Sequence, residues 1–137
     1  MKKYLVDTGP LVALTKGRGG VEALLRPLMV NDEVATSIVV YGEIIRYFRS
    51  LPNYSEHRTK LRQLLQGVSP YQLTYSIMER YADLRRTLRP LGAMIGDIDT
   101  LIAATALEHN LTIVTLDGDF RRVPGLSVML FAHKDLQ

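Results

Sequence analysis

Asp7, Asp97, Asp99, Asp117 and Asp119 all stand at a border between a β-prone or apolar run and the turn or helix beside it. Asp7 follows the run Lys3 to Val6. Asp117 and Asp119 follow Leu111 to Thr115 in the segment Thr115-Leu116-Asp117-Gly118-Asp119-Phe120, and Asp97 and Asp99 open an apolar helical stretch. Backbone groups are free where strands end and helices begin, and loops from several strands converge there on one crevice. Each acid also has a purely structural use: Asp7 or Asp99 could cap a helix, Asp117 could form an Asp-Gly turn, and Asp119 could cap the short turn before Pro124. Glu43 is harder to explain that way. Val40, Glu43, Ile44 and Tyr47 share a helical face, so its carboxylate lies on the stripe that should pack inward, where it needs a partner. Arg46, a distant arginine or a bound cation would each serve. At 1.5 Å per residue Glu43 lies about 9 Å along its helix from Ser37, at the flank of the site.

Acids gathered at one edge without lysines among them repel one another, and a divalent cation removes that repulsion. A donor set made of carboxylates selects a hard ion, Mg²⁺ or Mn²⁺, whereas zinc and copper prefer histidine or cysteine. There is no cysteine, and His57, His109 and His133 lack ligand spacing. The HExxH, GxSxG and phosphate-loop patterns are absent, so the glycine-rich segment 16–20 reads as a turn.

The elements that must position these acids can be read along the chain. Lys3 to Val6 is a strand, and Asp7-Thr8-Gly9-Pro10 starts a helix. A helix from about Val21 to Met29 leads to a second strand, Val34 to Thr36. Thr36 or Ser37 caps a helix that runs to about Arg49 before Pro52, and Ser55 caps another to about Gln66. A third strand is expected near Tyr71 to Leu73. Ile77, Tyr81, Leu84 and Leu88 mark a helix by their spacing, closed by Pro90 and Gly92. A further helix spans about Asp99 to His109, Asn110 turns the chain, and strands four and five are Leu111 to Thr115 and Leu126 to Phe131. Strands alternating with helices give an α/β fold: a mainly parallel sheet of about five strands between two helical layers.

With 137 residues, 47% hydrophobic and 23% charged, the chain is expected to form one domain over residues 1–137. Lys2 and Lys3 precede an apolar stretch as in a signal peptide, but Asp7 and Pro10 interrupt it, and no apolar run approaches the ~20 residues of a membrane helix. The absence of cysteine fits a reducing compartment, so the cytoplasm is expected. The net charge of +3 hides a segregation: residues 46–90 carry nine basic groups against three acidic, and residues 91–137 carry three against six. A basic middle beside an acidic end suits a polyanion on one surface and a cation in an adjacent pocket, although solvated helix faces would read the same way.

Tyr4-Leu-Val-Asp-Thr8, Glu43 in a helix, Ile95-Gly-Asp-Ile-Asp-Thr-Leu-Ile-Ala-Ala104 and Val114-Thr-Leu-Asp-Gly-Asp-Phe120 together resemble the PIN domain, and in order, spacing and length the VapC-type toxins of toxin-antitoxin pairs. The resemblance runs from Lys3 through Val123-Pro-Gly-Leu126. It implies a three-layer α/β/α fold and a metal-dependent endoribonuclease. Its acidic site would be built from Asp7, Glu43, Asp99 and Asp117, with Asp97 as a further metal ligand. Asp119, Thr8 and Thr115 would support the ligands, and Mg²⁺ or Mn²⁺ would be the cofactor. Arg46 and Arg49, with Arg58, Lys60 and Arg62, could guide the RNA backbone, and Arg85, Arg86 and Arg89 form an alternative patch. The implied partners are an RNA substrate, a VapB-like antitoxin and a second copy of the chain, with no membrane. Gly9 stands where the family often has serine or asparagine. The alternative is a non-catalytic PIN-like protein- or RNA-binding module whose acids merely receive an arginine from a protein partner.

Overall fold

Three short strands, β1 (Tyr4–Val6), β2 (Val34–Ser37) and β4 (Thr112–Thr115), are apolar or small on both faces, the composition of strands covered from both sides. In the computed structural model, which describes residues 1–132, they form the middle of a five-stranded sheet. The edges are β3 (Ser69–Tyr71) and β5 (Val128–Leu130). The order is β3-β2-β1-β4-β5 and every pair is parallel, with Leu5 opposite Ala35 on one side and Ile113 on the other.

The connections are helical, as parallel pairing requires: α1 (Thr8–Thr15), α2 (Gly19–Val30), α3 (Ile38–Arg49), α4 (Tyr54–Leu64), α5 (Tyr75–Leu88) and α6 (Asp97–Glu108). A 3₁₀ helix, Gly118–Arg122, follows β4. The α5 stripe forms as its spacing predicts, with Ile77, Leu84 and Leu88 buried and the Thr74 hydroxyl accepting the Ile77 amide at its start. Helix α6 packs on α5 and buries Ala103, Ala104 and Ala106, small residues that let the two backbones approach. Leu5, Leu11, Ile44, Phe48, Ile102, Ile113 and Phe120 form the centre of the core.

Several boundaries differ from the sequence reading. Helix α6 begins at Asp97, two residues early, because Gly96 is its N-cap and the Thr100 amide already bonds the Gly96 carbonyl at 2.9 Å. Asn53, with φ of +61°, caps α4, so Ser55 lies inside that helix. Strand β3 sits at Ser69–Tyr71 because its register with β2 pairs Ala35 with Ser69. Pro70, which cannot donate to a ladder, is accommodated there because β3 is an edge. No helix is long and apolar enough to cross a membrane among the described residues.

Candidate active site

From β1 the chain moves outward to β2 and β3, then returns to the other side of β1 for β4 and β5. The strand order therefore reverses between β1 and β4, and open parallel sheets bind their ligands in the crevice beyond the carboxyl ends at that point. Asp7 is the first residue after β1, and Asp117 follows β4 by one residue. The Asp7 amide donates to the Val114 carbonyl at 2.9 Å, closing the two strand ends on each other.

Asp7 occupies the N-cap position of α1, yet its side chain makes no capping bond. Instead Oδ2 accepts the buried Thr115 hydroxyl at 2.7 Å, and the Thr115 oxygen accepts the Asp117 amide at 3.0 Å. One threonine thus ties both aspartates to the end of β4. Asp117 Oδ1 accepts the Asp119 amide at 2.9 Å, the turn geometry its Asp-Gly sequence permits. Glu43 reaches the same edge from α3, where the Thr8 hydroxyl donates to its Oε1 at 2.7 Å. The axial distance that puts Glu43 at the flank is bridged by Thr8, one residue beyond Asp7. No arginine pairs with Glu43 among the described residues.

Asp99 comes from the first turn of α6, not from its cap. Burial and then the charges of Asp7, Asp117, Glu43 and Asp119 push its carboxyl up to about 6. Burial likewise raises Asp7, and the charges of Glu43 and Asp117 add to it. The Thr115 hydroxyl and the Thr8 amide oppose that rise. Carboxylates influence one another this way only when near each other and weakly screened, which agrees with Asp7, Glu43, Asp99 and Asp117 standing at one edge of the sheet, with Asp119 beside them.

Asp97 and Asp119 are held differently. Asp97 Oδ1 pairs with Arg85 at 3.1 Å and accepts the Tyr81 hydroxyl at 2.9 Å. Asp119 pairs with Arg122 at 3.3 Å. Sequence reasoning missed Tyr81, Arg85 and Arg122 as neighbours of the site. The signal for two of them was available, since Tyr81 and Arg85 are four residues apart on the helix that precedes Asp97.

These four acids offer oxygen donors only, and no lysine or arginine pairs with them among the described residues. That chemistry fits a hard divalent ion. Among the described residues no three acids or histidines are already drawn together into a cage. A Mg²⁺ ion that keeps several waters and takes one or two carboxylates directly does not require such a cage.

Arg46 is exposed one helical turn beyond Glu43, and Arg49 lies 4.0 Å from the Tyr54 ring centre. A recess of about 720 Å³ opens between α3, α4 and β3, lined by Tyr41, Arg58, Arg62 and Gln63 among others. At 3.6 residues per turn, Tyr41 and Glu43 lie on nearly opposite sides of α3, so that recess is separate from the acidic pocket.

Gly9 also has a local reason. A Cβ there would meet Leu116 Cδ1 at 2.7 Å, so the serine or asparagine common in the family would require Leu116 to turn aside. Thr115→Val keeps shape and removes both hydroxyl bonds, leaving an Asp7 oxygen and the Asp117 amide without these partners. It should lower the unfolding free energy by about 2 kcal/mol, which urea denaturation would measure. A loss indistinguishable from zero would mean that the hydroxyl does not hold the two strand ends.

The PIN domain family matches residues 4–126 of the chain. Ribonuclease VapC1 of Rickettsia felis is 41% identical over 96% of this chain and 98% of its own length. Ribonuclease VapC4 of Mycobacterium tuberculosis is 30% identical over 94% and 97%. Among solved structures, VapBC2 from Rickettsia felis bound to a DNA fragment from their promoter superposes with a TM-score of 0.85 at 26% identity, covering 93% of this chain and 98% of that one. Matched nearly end to end and in the same parallel α/β architecture, the chain belongs to the PIN domain family, among its VapC-type members.

Proposed function

We propose that this chain is a Mg²⁺- or Mn²⁺-dependent endoribonuclease and the toxin of a toxin-antitoxin pair, acting in the cytoplasm as a single PIN domain. One observation carries the reading: Thr115 ties Asp7 and Asp117 together at the switch point of the sheet, Thr8 beside Asp7 holds Glu43, and no lysine or arginine pairs with these acids or with Asp99 among the described residues. Similarity to ribonucleases named VapC supports RNA as the substrate. The likeness to VapBC2 supports a VapB-like antitoxin as partner, and a second copy of the chain completes the proposed assembly.

In this reading Asp7, Glu43, Asp99 and Asp117 would hold the ion, one or two of them directly and the others through its waters. Bound there, a divalent cation supplies positive charge for the phosphoryl oxygens and acidifies water for attack on phosphorus. The chain's own contribution is orientation. One oxygen of Asp7, Glu43 and Asp117 is aimed by Thr115, Thr8 and the Asp119 amide respectively, so three carboxylates keep their directions against mutual repulsion. Arg46 and Arg49 take up the phosphate backbone beside Glu43, a contact that positions RNA without reading its bases.

Chelator-stripped protein incubated with total RNA should cleave only when Mn²⁺ or Mg²⁺ is restored, leaving 5′-phosphate and 3′-hydroxyl ends that end-mapping identifies. Folded protein that leaves RNA intact with either ion would sink the catalytic reading in favour of a non-catalytic binding module.

A further inference from the structure

The segment between α5 and α6 spans residues 89–96 and delivers Asp99 to the pocket. Its backbone turns at Gly92, with φ of +65°, and is anchored early by the Ala93 amide on the Leu88 carbonyl. At its far end the Gly96 carbonyl bonds into α6 through Thr100. Two of the carbonyls between these anchors, Met94 and Ile95, are each taken by an arginine. Arg122, from the 3₁₀ helix, donates to the Met94 carbonyl at 3.2 Å. Arg85, from α5, donates to the Ile95 carbonyl at 3.1 Å. Both arginines also pair with an acid beside a candidate ligand: Arg85 with Asp97, two residues before Asp99, and Arg122 with Asp119, two residues after Asp117.

We infer that Arg85 and Arg122 are positioning residues for the metal site, gripping successive carbonyls of the segment that sets Asp99, and that Asp97 and Asp119 anchor these arginines rather than ligate metal. The inference rests on the metal-dependent reading above. Arg122 joins the turn that carries Asp117 to the loop that leads into Asp99, so the two ligands keep their separation even though they belong to elements distant in sequence. Arg85, with Tyr81 on the same carboxylate, fixes the first turn of α6 against α5.

These contacts are partly open to water: the side chains are 28% exposed for Arg85, 64% for Asp97, 49% for Arg122 and 52% for Asp119. Exposed ion pairs add little to global stability. Their effect should therefore fall on the geometry of the site, where loss of a group that orients ligands typically weakens metal affinity or activity by about 10- to 100-fold. Asp97 separates the roles cleanly. A metal ligand cannot spare its charge, whereas an acceptor for Arg85 and Tyr81 can, because the asparagine oxygen accepts the same bonds.

The test is Mn²⁺ titration calorimetry on the full chain, with melting temperatures recorded without metal and RNA cleavage kinetics alongside. Arg85→Ala and Arg122→Ala should each weaken Mn²⁺ binding by about tenfold or more and lower kcat, with KM for RNA changed less than about twofold and the metal-free melting temperature little changed. Asp97→Asn should stay within about threefold of wild type in Mn²⁺ affinity while Asp97→Ala falls about tenfold. Arginine variants with normal Mn²⁺ affinity and a raised KM would overturn the inference and make these side chains a phosphate-binding patch. An Asp97→Asn variant as defective as Asp99→Asn would overturn it by making Asp97 a ligand, and this arm holds even if an arginine variant fails to fold. Should Asp99→Asn itself bind Mn²⁺ normally, the metal-dependent reading fails and the clamp falls with it.

Discussion

Asp99→Asn protein, chelator-stripped and resupplied with Mn²⁺, is expected to cleave RNA about 10²- to 10³-fold more slowly than wild type, the scale of losing one preorganised electrostatic group in a reacting site. The amide preserves the shape of the side chain, so the fold should survive. Without metal the variant should be as stable as wild type or more so at pH 7. Asp99 carries a charge that burial and four neighbouring acids oppose, and the substitution removes it. Mn²⁺ should then raise the variant's melting temperature far less than that of wild type. A helix-capping role predicts the reverse pattern, with cleavage retained and no specific metal effect in either protein. Asp99 lies inside the first turn and not at the Gly96 cap, which favours the ligand role.

A second large effect is expected from metal and pH together. An ion that binds the folded pocket and not the unfolded chain adds about 2.7 kcal/mol at a hundredfold excess over Kd. For a chain of this size that raises the melting temperature by about 10 °C. The sign with pH follows from Asp99 and Asp7, both raised above the ordinary carboxylate value of 3.8. A carboxyl raised on folding contributes stability that is fully present below the unfolded value and is lost as pH rises through the folded one, about 6 for Asp99. The metal-free melting temperature should therefore decline through that window. Metal binding runs the other way, because ligands must be deprotonated. At pH 5 the titration of Asp99 alone should weaken Mn²⁺ affinity about tenfold, and the Mn²⁺-induced rise should shrink accordingly. Thermal melts at pH 5, 6 and 7.5 with and without Mn²⁺ decide the matter. An induced rise that is equal at all three would exclude a raised carboxylate from the ligand set.

The parts of this arrangement that could be read from sequence are those in which local pattern and final environment agree. The stripe Ile77, Tyr81, Leu84 and Leu88 specifies α5 because its burial repeats with the helical period. The positions of Asp7 and Asp117 are legible because each follows a β-prone run, and both stand at the carboxyl edge of the sheet, beyond β1 and β4. Strand β3 was displaced by two residues because register with β2, a contact across more than thirty residues, outweighs the weak propensity of Tyr71 to Leu73. The division among the acids was not legible. Asp97 and Asp99 have the same type and nearly the same position, and which one meets Arg85 depends on how α5 crosses α6. The grip of Arg85 and Arg122 on carbonyl oxygens leaves no mark in the sequence, since every residue supplies a carbonyl.

The bond between Thr115 and Asp7 spans 108 positions of the chain. During synthesis β1 must wait for its partner β4, because more than a hundred residues are translated between Val6 and Thr112. Contacts of such long range are also slow to form once both partners exist. A nascent chain carrying Asp7 and Glu43 but lacking β4 has half a pocket, and Asp117 has no place to stand. The topology thus imposes a delay: on the proposed reading, a nascent chain of this kind has no ribonuclease site until β4 and Asp117 have been made.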